Sequence, residues 1–388
     1  MIQNNSKIDC CGCTACACIC SHNAITMQTD EMGFLYPSVD VNKCVDCGLC
    51  DRVCQFNSNY NRYENYKKPF AFSARLKDEN QLKRSQSGGA FIAIANQVID
   101  KGGVVYGAAF TNTWRVTHQR ASSTEELEKL RMSKYVQSDL RSVFPSVKQD
   151  LQSGNLVLFS GTACQVAGLK SYIPKRLLEN LICVDIICHG VPSPKVWEDY
   201  ILYLEGKYHS KIVKACFRDK RFGWHGATES FLFANGREVF RKTSNKLYFT
   251  GLSTRESCSH CYFTNLNRVG DITIGDFWGI PEDSLFSKDE QGVSVVFANS
   301  KKGSEYVEMI RDIAIIEAYP VDSCLQPQLE RPSSQNPLHE QFVANYVKYG
   351  FQNTASRYKA LGWRYYSNEW KQNTRSLVGN ILRFIKLK

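Results

Sequence analysis

No run of 18 apolar residues occurs anywhere in the 388-residue chain, so a membrane-spanning helix is not expected. The opening stretch MIQNNSKIDCC has neither the basic nor the apolar region of a signal peptide, which points to the cytoplasm. Disulfides are disfavoured in that compartment, and 17 cysteines, an odd number, cannot all pair. Also missing are a Lys/Arg-dense helix and zinc-finger spacing, and with them the signs of nucleic-acid binding. What remains is an ordinary soluble composition, 43% hydrophobic and 22% charged, in a chain long enough for two or three domains. The net charge of +10 allows an acidic partner, a phosphorylated cofactor or an anionic membrane surface, and selects none of them.

The cysteines are concentrated. Cys10, Cys13, Cys16 and Cys20 follow the pattern C-x2-C-x2-C-x3-C, and Cys44, Cys47, Cys50 and Cys54 repeat it. This is the spacing of two-cluster bacterial ferredoxins, in which the fourth cysteine of each run ligates the other cluster. Three close thiolates reach three irons of one cubane, and the wider step carries the next thiolate toward the neighbouring cluster. The reading assigns Cys10, Cys13, Cys16 and Cys54 to one 4Fe-4S cluster and Cys44, Cys47, Cys50 and Cys20 to the other. Cys11 and Cys18 are left as bystanders packed nearby as small hydrophobes. A pair of zinc sites is the competing reading, but zinc usually takes two separated pairs of ligands. The proline that usually follows the fourth cysteine is replaced by Ser21 and Gln55. Between the runs, AITMQTDEMGFLYPSVD alternates like two short antiparallel strands around a turn.

These runs set the expected organisation. Residues 1–60 form an α+β dicluster ferredoxin-type domain, and residues 61–85 hold a polar linker and the start of a first strand. Residues 86–330 form an α/β domain, split near 175, and residues 331–388 a helical tail. Within the α/β part, Ser87 to Gly103 is expected to be a helix ended by glycines, and VVYGAAF a strand. NLVLFSGTACQVAGLKSY is a strand, a turn and a helix from near Ala163. NLICVDIICHGVPSPKVWEDYILYL repeats that plan, with strand Leu181 to Ile187 and a helix from about Pro194. In an open parallel sheet, ligands gather beyond the carboxyl ends of the strands, where Cys164 and Cys188 sit. Cys258 and Cys261 bring the number of such cysteines to four. Spacing alone leaves a third 4Fe-4S cluster, an all-cysteine zinc site and unligated thiols open. Cys183, Cys216 and Cys324 read as core residues.

The ordered set SQSGGAF, SKYVQS, SGTACQVAGL, ICHGVPSP, SCSHCYF and DITIGDFWG resembles the coenzyme F420 hydrogenase/dehydrogenase beta-subunit family, over roughly residues 5 to 330. It is most similar to the bacterial branch with an N-terminal dicluster ferredoxin domain. The resemblance implies an iron-sulfur flavoprotein oxidoreductase. Electrons would pass from the ferredoxin-type clusters through a third 4Fe-4S cluster, on Cys164, Cys188, Cys258 and Cys261, to a flavin. That flavin is usually FAD, with FMN the alternative. The substrate would be a small molecule: coenzyme F420, or another oxidised metabolite such as a sugar precursor of surface polysaccharide. The implied partner is an electron donor or acceptor protein or a reduced cofactor, within a homo- or hetero-oligomer. Relatives often carry glycine where Met132 stands.

The candidate flavin contacts are Ser87, Gly88, Gly89, Ser133, Lys134, Tyr135, Gly161, Thr162 and Gln165. Ser87 to Gly89 open a helix whose free N–H groups suit a pyrophosphate, although a plain Ser cap with packing glycines explains them too. Lys134 and Tyr135 suit a phosphate and a ring, or a solvated lysine beside a core tyrosine. Gly161, Thr162 and Gln165 surround Cys164 in a turn suited to isoalloxazine edges. Cys164 as a nucleophile is the weaker alternative, since no fixed His–Asp pair supports it. His189 and His225 are candidate proton donors, with structural roles the alternative. Arg218, Asp219 and Lys220 suit an anionic substrate or a solvated turn equally. Thr374 to Lys388 reads as an amphipathic helix for an anionic membrane face or a partner protein, or as an ordinary docking helix. Two other function classes remain: an electron carrier without its own substrate, and a zinc-based nucleic-acid binding module.

Overall fold

In the computed structural model, residues 2, 6–57, 65–287 and 289–362 are described. The expected amphipathic helix at 374–388 lies outside them. No helix among the described residues is long and apolar enough to cross a membrane.

The N-terminal segment folds the same way twice. Each cysteine run enters a short helix, Ala15–Ile19 or Leu49–Val53, through a left-handed residue, Thr14 at φ 68° or Gly48 at φ 72°. Each helix ends on the fourth cysteine of its run, Cys20 or Cys54, in extended backbone. Between them lies the expected hairpin of β1 (Ile25–Thr29) and β2 (Leu35–Val39), paired antiparallel. Asp30 fixes its turn by accepting from the backbone N–H groups of Met32 and Phe34 at 3.0 and 2.9 Å.

Eleven further strands make two sheets: β3 (Phe70–Leu76), β4 (Val104–Phe110), β5 (Val116–Ala121), β6 (Val157–Thr162), β7 (Leu181–Ile186), β8 (Ile212–Cys216), β9 (Glu229–Phe233), β10 (Glu238–Arg241), β11 (Ile272–Asp276), β12 (Ser294–Ala298) and β13 (Ala314–Tyr319). The large sheet runs β13-β3-β12-β11-β7-β6-β4-β5. The pairs β4-β6, β6-β7 and β7-β11 are parallel, whereas β5, β12, β3 and β13 join their neighbours antiparallel. The open parallel sheet of the sequence reading is thus corrected to a mixed one. Successive side chains go to opposite faces. Val157, Phe159, Leu181 and Cys183 meet the helices Val143–Gln152 and Ala163–Tyr172, while Leu158, Ile182 and Val184 meet Ala90–Asp100 and Lys301–Met309. Both faces are therefore buried, which is why these strands read as continuous apolar runs.

A second body holds β10-β9-β8 and the helices Pro194–Tyr208, Thr243–Phe249 and His339–Arg357. Trp197, Phe217, Phe231, Phe342 and Phe351 form its core, and Met32 and Phe34 of the hairpin join it. Glu229 is buried there. It accepts from the Tyr200 hydroxyl at 3.0 Å and from the backbone N–H of Asn245 at 2.5 Å, and burial pushes its pKa up to about 7. A carboxyl whose pKa is raised on folding adds stability that is full below its unfolded value of 4.5 and lost as pH rises through about 7. Glu229→Gln should therefore match wild type near pH 4 and exceed it near pH 8, by on the order of 3 kcal/mol. Thermal unfolding of both proteins at the two pH values checks this.

Candidate functional site

A cavity of about 480 Å³ opens beyond the carboxyl ends of β6, β7 and β11, where the large sheet faces the second body. The three strands are parallel, so their ends converge on one crevice. Ser87, Gly89, Ser133, Lys134, Tyr135, Gly161, Thr162, Gln165, His189 and His225 all line it. Gly88 does not. A Cβ on Gly88 would stand 1.9 Å from the Ala74 carbonyl oxygen, so this glycine serves close packing against β3. The helix begins at Ala90, after left-handed Gly89, rather than at Ser87. Ser87 itself sits at φ 49° and turns its hydroxyl away from the helix, to Asp276.

Asp276 organises one wall. It accepts from Ser87 Oγ, from Trp224 Nε1 at 2.6 Å and from Arg218 Nη1 at 2.7 Å. Arg218 also donates to the Trp224 carbonyl at 2.5 Å and lies over the Trp278 ring, 5.2 Å from its centroid. Of the two readings left open for Arg218, Asp219 and Lys220, the solvated turn does not hold for Arg218 and Lys220. Arg218 is buried and ion-paired. Asp219 holds Arg221. Lys220 donates to the Ser87 and Leu82 carbonyls at 2.7 and 3.0 Å, and burial lowers its pKa to about 8.

The opposite wall carries Lys134, which donates to the Lys129 carbonyl at 3.1 Å and to that of Arg131. Desolvation lowers its pKa to about 7. Met132 adopts φ 66°, a conformation glycine takes without strain. Gln165 Oε1 accepts from the Thr162 N–H at 2.9 Å in a capping box, so both residues serve the helix start as well as the cavity. His118, which no sequence motif singles out, lies between Ser138 Oγ at 2.7 Å and the Ser160 carbonyl at 2.8 Å. Burial takes its pKa down to about 4 and keeps the ring neutral. His225 is exposed at the rim, 3.1 Å from Glu290. His189 is half-buried, with its pKa lowered by burial.

A second, smaller space adjoins the cavity. Cys164, Cys188, Cys258 and Cys261 line it together, brought from three separate stretches of chain. Thr162, Cys188, His189, Gly190 and Val191 line both spaces, so one layer of residues separates them. A hydrogen bond from Cys11, opposed by burial and aided by Thr162, takes the Cys164 thiol down to about 7, while burial pushes Cys258 up to about 12. Gln328, on the same wall, has a buried side-chain oxygen without a hydrogen-bond partner among the described residues.

The N-terminal cysteines lie on the far side of this space. Burial raises the Cys16 thiol, and Cys13, Cys10 and Cys54 raise it further, so the fourth cysteine of the second run stands beside three of the first. Cys20 and Cys50 pack in one small core with Cys16 and Cys54, and Cys47 is exposed. No three Cys, His, Asp or Glu side chains among the described residues converge on a single-ion position. Cys11 is buried, but it is not packed merely as a small hydrophobe. Gln55 Nε2 lies 2.8 Å from both Cys11 Sγ and the Cys164 carbonyl oxygen, tying the first run to the third cysteine group. The one signal in the sequence was Gln55 itself, standing where proline is usual.

Two family models match the chain. One describes the N-terminal part of the beta subunit of coenzyme F420 hydrogenase/dehydrogenase and covers residues 71–144; the other describes the C-terminal part of the same beta subunit and covers residues 154–323. Together they span more than half of the chain. The chain belongs to the coenzyme F420 hydrogenase/dehydrogenase beta-subunit family. It is therefore of an oxidoreductase subunit type. The beta-subunit matches take in the cavity and the third cysteine group, and they begin after the two N-terminal cysteine runs. A solved chain from the F420-reducing NiFe hydrogenase complex of Methanosarcina barkeri is similar at 19% identity and a TM-score of 0.46, covering 76% of this chain and 92% of that one. No curated protein matches.

Proposed function

We propose that the protein is an iron-sulfur flavoprotein oxidoreductase that moves electrons from its N-terminal cysteine domain to a small molecule in the large cavity. The observation that carries this reading is the shared wall, Thr162 and Cys188 to Val191, between four converging cysteines and the cavity. When bound, the clusters carry single electrons, and the flavin gathers two for a hydride-type reduction. The chain's own residues fit these groups. Cys10, Cys13, Cys16 and Cys54 would hold the cluster next to the large domain, and Cys44, Cys47, Cys50 and Cys20 the outer one. Cys164, Cys188, Cys258 and Cys261 would hold the third. Lys134 and the backbone around Gly161 would receive the flavin, FAD with FMN the alternative, beside the side-chain oxygen of Gln86 on the cavity wall, which has no hydrogen-bond partner among the described residues. His189, half-buried on the shared wall, would supply the proton. Coenzyme F420 is the substrate class that the family name suggests, and another oxidised metabolite is the alternative. Exposed Cys47 marks the face at which an electron-donor protein would dock.

The full chain, isolated without oxygen, is expected to carry about twelve irons and one flavin, as three cubanes and a single cavity require. A one-electron donor should bleach the flavin bands. Zinc in place of iron, or a cavity that takes up no flavin, would refute the proposal.

A further inference from the structure

Arg255 is the most deeply buried basic side chain among the described residues, 1% exposed. Three of its nitrogens donate to neutral oxygens. Nε donates to the Cys10 carbonyl at 2.8 Å, Nη1 to Gln137 Oε1 at 3.0 Å and Nη2 to the Leu35 carbonyl at 2.9 Å. The guanidinium lies 4.1 Å from the Tyr36 ring centroid and 5.4 Å from that of Phe34. Among the described residues no carboxylate forms an ion pair with it. Arginine does not shed its proton in a protein, so this site holds a permanent positive charge. A buried charge without a counter-charge is strongly disfavoured, and hydrogen bonds to carbonyls offset only part of that.

Its position suggests what supplies the rest. Arg255 stands three residues before Cys258, and its own N–H donates to the Val191 carbonyl at 3.0 Å, on the wall of the third cysteine group. Its side chain reaches across to Cys10, in the first. The thiols that its charge acts on are Cys10 and Cys11 in the first run and Cys164 and Cys258 in the third group, on either side of it.

We propose that Arg255 is the shared counter-cation of the two clusters flanking it, those of Cys10, Cys13, Cys16 and Cys54 and of Cys164, Cys188, Cys258 and Cys261. This rests on the cluster assignment above. A cubane held by four thiolates is an anion in either oxidation state, and reduction adds one electron and one more negative charge. A fixed cation between the two therefore favours the reduced state of each and raises both reduction potentials. The guanidinium keeps its proton throughout, so no proton accompanies the electron at this point. Arg255 is a positioning residue in this role, because it acts on the ligands' surroundings and touches no reacting atom.

The test is potentiometry of the full chain, reconstituted without oxygen and followed by EPR, on wild type, Arg255→Gln and Arg255→Lys. Three one-electron waves are expected in wild type. In Arg255→Gln, two of them should shift so that the equilibrium constant for reduction falls at least tenfold, about 59 mV downward for a one-electron couple. The third, from the cluster of Cys44, Cys47, Cys50 and Cys20, should stay in place. Arg255→Lys keeps the charge and should hold both waves within about threefold of wild type, or about 28 mV. If Arg255→Gln takes up too little iron to titrate, full loading of Arg255→Lys still supports the role of charge. Unmoved waves at full iron content overturn the proposal, as does failure of both variants to load, which would make the shape of the fork decisive. A wild-type chain short of iron would count instead against the cluster assignment.

Discussion

A chain carrying Cys258→Ala is expected to lose about four irons and to stop delivering electrons to the cavity, while still taking up flavin. The four cysteines concerned come from the ends of β6 and β7 and from the Cys258–Cys261 turn, and nothing but the fold brings them together. Cys258 is wedged against Gly190, where an added Cβ would meet the Cys258 Cβ at 3.3 Å, and Gly190 also faces the large cavity. Losing that thiolate leaves three ligands on a group that needs four, at the point where the two spaces are closest. The flavin contacts proposed for Lys134 and Gly161 lie on the other side of the wall, so flavin content should be preserved. Cys183→Ala makes a suitable companion. That thiol is buried in the core between the sheet and its helices, so its loss should lower stability modestly and leave iron untouched. Iron assay and stopped-flow bleaching of the flavin bands check both variants. Full iron, or flavin reduction at the wild-type rate, in Cys258→Ala would remove the third group from the electron path.

The local plan of the fold was legible because its signals are local. The strand Val104–Phe110, the helix starts at Ala163 and Pro194 and the hairpin between the cysteine runs all stand where alternation, turns and caps put them. The mixed character of the large sheet was not legible. β12 and β13 are added to β3 from more than 200 residues away, and an apolar strand does not record the direction of its neighbour. Three residues were misread or missed for the same reason. Gly88 resembles part of a phosphate loop until Ala74 is seen against it. Cys11 resembles a bystander until Gln55 and Cys164 are placed beside it. Arg255 is one of many basic residues until its burial and lack of an acidic partner among the described residues are known. Spacing describes what one loop can hold. It says nothing about what another part of the chain brings to that loop.

The second large effect should separate the two N-terminal clusters. Cys20 and Cys54 occupy equivalent places, each the extended residue that ends a five-residue helix entered through a left-handed residue. The Cys54 thiol is raised by burial and then by Cys13 and Cys10, so its closest relations are with the other run. The repeat in local geometry implies the reciprocal arrangement, with Cys20 serving the run of Cys44, Cys47 and Cys50. Its sulfur accepts from the Ala24 N–H at 3.3 Å, as the Cys10 sulfur accepts from the Gly12 N–H at 3.4 Å. Cys20→Ala is therefore expected to remove about four irons, all from the outer cluster, despite the shorter sequence distance between Cys20 and the first run. Cys54→Ala should do the reverse and spare the outer cluster. Cys18→Ala is the control, since Cys18 packs against the helices of the large domain near Thr14 and belongs to neither set. EPR of the reduced proteins distinguishes the outcomes, because Cys20→Ala and Cys47→Ala should lose the same signal. If Cys20→Ala instead loses the signal that Cys13→Ala loses, each run ligates its own cluster and the crossed assignment is wrong.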